Sequence, residues 1–133
     1  MSDIGTDGVK LGMLFDSAIV DVVEKKLKNY KPSFVVADPV MVAKNGDELL
    51  KKEAKKVLIE KILPLCDVVT PNINEAEEIS GFKIDSEKNL FNALYKIYSL
   101  GPKNVLIKGG HYGKEAIDFF FDGKEITEIY GKR

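Results

Sequence analysis

The chain has 133 residues, 31% of them charged and 44% hydrophobic, and a formal net charge of −1. That length fits a single domain spanning residues 1–133, which can bury roughly 68–70% of its unfolded surface. Near-neutrality excludes nucleic-acid binding through bulk positive charge, and no apolar run approaches the length of a membrane span. Nothing resembles a signal peptide. Cys66 is the only cysteine, so no internal disulfide forms, a buried thiol is expected, and the cytoplasm is the expected compartment.

Residues 9–13 read as a short apolar strand. Leu14, Phe15, Ala18, Ile19, Val22, Val23 and Leu27 then recur at helical spacing, ending near Asn29 ahead of Pro32. Phe34-Val35-Val36-Ala37 is a fully apolar strand closed by Asp38-Pro39. A loop around Asn45-Gly46-Asp47 leads to a helix using Leu50, Ala54, Val57, Leu58 and Ile62, with Asp47 or a neighbour as its cap and Pro64 as its end. Residues 67–70 form the next strand, ended by Pro71. A short helix over 74–80 takes Gly81 as its C-terminal cap. Ser86 opens a longer helix burying Leu90, Phe91, Leu94, Ile97 and Tyr98, which Gly101-Pro102 stops. The strand Val105-Leu106-Ile107 runs into Lys108-Gly109-Gly110-His111. Runs at 117–121 and 126–130 flank Asp122-Gly123, the signal of a hairpin. Strand and helix alternate, and the strands are continuous apolar runs. Both features predict an α/β fold with a mostly parallel sheet, flanking helices and a C-terminal β-hairpin.

In such sheets ligands collect beyond the C-terminal ends of the strands. The sequence places Met13, Asp38, Lys44, Asn72, Glu75, Lys108, Gly109, Gly110 and His111 there. Carboxylates, ammonium groups and a Gly-Gly pair suit a phosphorylated ligand with Mg²⁺. Simpler roles fit the same residues. Asn72-Ile73-Asn74-Glu75 matches a helix capping box, and one carboxylate oxygen can cap while the other meets a metal through water; spacing leaves both roles open. Asp38 suits a turn before Pro39, Lys44 a solvated surface, and Gly109-Gly110 a plain turn. His111 reads as a structural or solvent-facing loop histidine, with no Ser or Cys near it in sequence as a nucleophile. No cluster has the spacing of a zinc site, and neither a Walker sequence nor Gly-x-Gly-x-x-Gly occurs.

Taken in order, "DGVKLGML", "VVADPVMVAKNGDELL", "CDVVTPNINEAEEISG", "VLIKGGH" and "AIDFFFDGKEI" resemble the hydroxymethylpyrimidine/phosphomethylpyrimidine kinases of thiamine biosynthesis. These belong to the ribokinase-like superfamily, close to pyridoxal kinases. The resemblance implies part of a three-layer sandwich and ATP- and Mg²⁺-dependent phosphorylation of a hydroxymethylpyrimidine and then its monophosphate. It implies that Asn72 and Glu75 order Mg²⁺ and phosphate, with Asp38 at the same metal–phosphate edge. Lys44, Lys108, Gly109 and Gly110 would serve the nucleotide, while Met13, Val40 and Val42 would border the pyrimidine. A complete member carries earlier strands and a later Gly-Thr-Gly turn that holds the general base. No catalytic base is therefore expected within this chain. Alone it is expected to show negligible kinase activity, and to self-associate or pair with a complementary fragment. A pyridoxal-type kinase fragment and a non-catalytic nucleotide-binding or interaction module are the alternatives.

Overall fold

Runs rich in β-branched and aromatic residues form the strands, and segments of 3.6-residue periodicity form the connections between the parallel ones. The computed structural model describes residues 8–12, 17–39, 52–112 and 115–131. Its strands are β1 (Gly8–Leu11), β2 (Phe34–Ala37), β3 (Val68–Val69), β4 (Asn104–Tyr112), β5 (Glu115–Phe121) and β6 (Ile126–Gly131). Its helices are α1 (Ser17–Tyr30), α2 (Lys52–Val57), α3 (Ile73–Ser80) and α4 (Glu87–Ser99). The sheet is six-stranded in the order β1-β2-β3-β4-β5-β6. β1 to β4 are parallel, and β5 and β6 are added antiparallel. The parallel strands therefore deliver the segments that follow them to one edge.

Alternation along the strands separates two faces. Val35, Ala37, Val69, Val105, Ile107, Phe119 and Phe121 are buried, and they join Val20, Leu27, Leu90, Leu94 and Ile97 of the helices in one core. Their neighbours Val36, Val68, Leu106 and Phe120 are only partly covered, and Phe34 is exposed. Phe91 and Phe119 meet edge to face at 6.0 Å, and Tyr95 and Tyr98 both set their rings against Phe121.

Several elements differ from their expected form. Among the described side chains of α1, Val20 and Leu27 are buried and Val23 is partly buried, while Val22 is 56% exposed. Val22 lies about 200° around the helix from Val20 and cannot share its face. The helix expected to run through Ile62 is regular only over Lys52–Val57. It widens to a π turn over Leu58–Ile62 and tightens to a 3₁₀ turn over Leu63–Leu65. Pro64 has no N–H and its ring crowds the carbonyl four residues back, so the chain changes pitch as it approaches the proline. The cap expected at Asp47 lies outside the described residues. The Lys108-Gly109-Gly110-His111 segment is strand, not loop: β4 continues to Tyr112 and pairs His111 with Ala116, with a register irregularity between Lys108 and His111. The hairpin forms where expected. Its turn is held by Asp122 Oδ1, which accepts from the N–H groups of Lys124 at 2.8 Å and Glu125 at 2.9 Å. Those donors keep the Asp122 carboxyl below the usual carboxylate range.

Candidate functional site

β3 stops after Val69 because Pro71 follows, and the chain turns directly into α3. Asn72 has the extended backbone of a helix cap. Its side-chain oxygen accepts from the Glu75 N–H at 2.8 Å, and its own N–H donates to Glu75 Oε1 at 2.9 Å. This reciprocal pair is a complete capping box. Gly81 ends the helix in the left-handed conformation, at φ 80°. Glu75 is only 6% exposed although it is acidic. Its position in the first turn lets the positive end of the helix dipole stabilise the charge.

This cap is tied to the sheet. Lys108 N–H donates to Pro71 O at 2.8 Å, and Asn72 forms a parallel bridge with Lys108. Asp38 leaves β2 with its N–H on Leu11 O at 2.8 Å. The Lys108 ammonium reaches across the end of β3 to Asp38 Oδ1 at 3.3 Å. Thr70 lies beneath this crossing, with its N–H at 2.9 Å and its hydroxyl at 3.3 Å from Ala37 O. The two charged side chains are 26% and 35% exposed, so the pair is solvated and worth about 0.2–1 kcal/mol to folding.

Gly109 follows Lys108 and is buried. A Cβ there would collide with the Ile117 carbonyl oxygen, so only glycine lets β5 approach at this point. Asp38, Asn72, Glu75, Lys108, Gly109 and Gly110 thus share one end of the sheet. Met13, Val40, Val42 and Lys44 lie outside the described residues. Sequence reasoning passed over Asp118, which the β4–β5 register sets opposite Lys108. The signal for it is the Asp of "AIDFFFDG", readable only once that register is known.

Among the described residues no group of three or more His, Cys, Asp and Glu is placed to hold a metal by itself. Asp38 and Glu75 both lie at this end of the sheet; Mg²⁺ in general needs few protein carboxylates, since it keeps several waters and shares its shell with phosphate oxygens. Cys66 takes no part. It is buried, its thiol donates to Ile62 O at 3.2 Å, and burial, with Asp67 adding to it, pushes its pKa up to about 12. No described helix is long and apolar enough to cross a membrane.

Comparison with known proteins agrees with this fold. A relative from Aquifex aeolicus, a hydroxymethylpyrimidine/phosphomethylpyrimidine kinase, is 46% identical over 96% of this chain and 50% of its own length. The crystal structure of phosphomethylpyrimidine kinase from Clostridium difficile 630 is 39% identical, with a TM-score of 0.84 over 96% of this chain and 54% of that one. An ADP complex of Bacillus subtilis pyridoxal kinase is 32% identical, with a TM-score of 0.86 over 97% and 48%. These likenesses bear out the ribokinase-like α/β fold. The chain spans about half the length of these relatives. The family model for phosphomethylpyrimidine kinase matches residues 1–133, and the chain belongs to that family.

Proposed function

We propose that this chain forms the nucleotide- and metal-facing part of a kinase that phosphorylates the hydroxymethyl group of a hydroxymethylpyrimidine and then its monophosphate, using ATP and Mg²⁺. The observation that carries the reading is the Asp38–Lys108 pair at 3.3 Å, standing beside the capped N-terminus of α3 at the C-terminal ends of parallel strands. Phosphoryl transfer asks mainly for positioning and charge stabilisation. The Lys108 ammonium supplies a point charge for phosphate oxygens. Asp38 and Glu75 are the groups that would hold Mg²⁺, Glu75 through water, and the ion would neutralise charge on the phosphates. Asn72 fixes Glu75 through the capping box, so the carboxylate keeps its direction when the ligand arrives. Gly109 and Gly110 bring the backbone close to the nucleotide, and Met13, Val40, Val42 and Lys44 complete the pyrimidine and phosphate contacts. The cytoplasm is the compartment proposed for this chemistry.

A second reading takes pyridoxal as acceptor, favoured by the TM-score of 0.86 to a pyridoxal kinase. Calorimetric titration with ATP, with and without Mg²⁺, tests the site. We expect Mg²⁺-dependent binding that Lys108→Met weakens at least tenfold; equal binding by that variant refutes the assignment. Competition between 4-amino-5-hydroxymethyl-2-methylpyrimidine and pyridoxal in the presence of Mg-ATP separates the two acceptors.

A further inference from the structure

β6 is the outer strand of the sheet on the hairpin side. Alternate residues of such a strand aim their N–H and C=O groups away from the sheet, where another strand can take them. Most of the devices that shield an edge are missing here. Ile126-Thr127-Glu128-Ile129-Tyr130-Gly131 includes no proline and no lysine, and its register with β5 runs unbroken. Residues 127–130 are all exposed, Ile129 at 45% and Tyr130 at 60%. Glu128 is the one charged residue of the strand, and the Tyr130 hydroxyl donates to its carboxylate at 2.6 Å. The opposite edge, β1, is shorter and carries the exposed Lys10.

The β6 edge is complementary to itself. A two-fold axis normal to the sheet pairs the strand antiparallel with its own copy, and opposed side chains must share a face. Ile129 lies on the face turned away from the core, opposite Asp118. Glu128 and Tyr130 lie on the other face, opposite Phe119 and Ile117. Two registers keep the pairing within β6 almost end to end. With Glu128 on the axis, two carboxylates stand directly opposite one another, which is destabilising. With Ile129 on the axis, two isoleucines meet, and each Glu128 faces a tyrosine instead of a carboxylate. The Tyr130–Glu128 bond within each strand stays in place.

We propose that β6 is a docking edge for a second copy of this chain, the two strands pairing antiparallel about an axis through Ile129. The two sheets become one continuous sheet. The parallel strands of the two copies then run in opposite directions, so the ends that carry Asp38 and Lys108 face away from each other and neither copy covers the other's. The pairing does not rest on the kinase reading.

Two measurements on the full chain test it. Sedimentation equilibrium over a concentration series reaching the millimolar range is expected to show a reversible dimer. Ile129→Lys, which sets two ammonium groups at the axis, is expected to weaken that dimer at least about tenfold. A monomer at every concentration, or a dimer that the variant leaves intact, overturns the proposal. Cross-linking with oxidised glutathione reads the register, and the buried Cys66 takes no part in it. Ile129→Cys is expected to give a disulfide-linked dimer. Thr127→Cys, on the same face but displaced from its own copy beyond disulfide reach, is expected to give none. No cross-link at 129, or one as ready at 127, overturns the proposal. Ile129 is at the surface, so circular dichroism of Ile129→Lys is expected to match the parent; if that variant fails to fold, the two cysteine variants decide.

Discussion

Replacing Glu75 by glutamine separates its two roles. Glu75 is 6% exposed and accepts the Asn72 N–H at 2.9 Å, while Asn72 accepts the Glu75 N–H at 2.8 Å. Glutamine keeps the shape and the accepting oxygen but loses the charge. A bond to a charged acceptor is worth about 1.5–3 kcal/mol against about 0.5–1.5 kcal/mol for a neutral one. The lost interaction with the helix dipole adds about 0.3–1 kcal/mol, and relief from burying a charge offsets part of both. The net destabilisation expected for Glu75→Gln is about 1–2 kcal/mol. That moves a urea midpoint by about 1 M for a small domain. Circular dichroism reads that shift, and calorimetry on the same sample reads the Mg²⁺-dependent part of ATP affinity, which should vanish. A variant that loses the expected stability yet binds Mg-ATP as tightly as the parent refutes the metal role and leaves Glu75 as a cap alone. Unchanged stability would instead show that the charge on Glu75 adds nothing to the cap.

Gly109→Ala should cost about 3 kcal/mol, because its new methyl group meets backbone that only strand separation can move. Amide hydrogen exchange should rise first across β4 and β5, and uniform exchange would contradict the reasoning. The Cys66 thiol, raised to about 12 from 9.0, lends stability that is complete below pH 9 and is lost as pH climbs from 9 towards 12, since the unfolded thiol ionises first. At pH 10.5 the loss is about 2 kcal/mol. Urea midpoints of the parent and Cys66→Ala should therefore converge above pH 9; parallel curves would refute the assignment.

Local signals were legible where local physics decides. The apolar run of β2, the Asn72 and Ser86 caps, the Gly81 stop and the hairpin around Asp122-Gly123 all stand in the structure as the residues indicate. Where the outcome depends on what an element packs against, reading failed. Periodicity put Val22 on the apolar stripe, but the face that α1 presents is chosen by Val20 and Leu27. Gly109-Gly110 reads as a turn, yet the close approach of Ile117 uses the missing side chain to keep the strand going. The candidate site was proposed from residue types, and the grouping of its described members at one end of the sheet follows from parallel strands. Asp118 was invisible because opposition across β4 and β5 is a property of the pair, not of either run alone.

The brevity of β3 has a consequence of its own. β3 ends level with β2, where Val69 pairs with Ala37, and lower down the ladder is completed by Asp67 and Asn104. Past the end of β3 the Lys108 stem reaches over the turn that leads into α3, and closes on Asp38 like a latch. A β3 continued beyond Val69 would carry the α3 N-terminus upward, away from both charges. The early halt at Pro71 therefore sets how near the capped end of α3 stands to the Asp38–Lys108 pair.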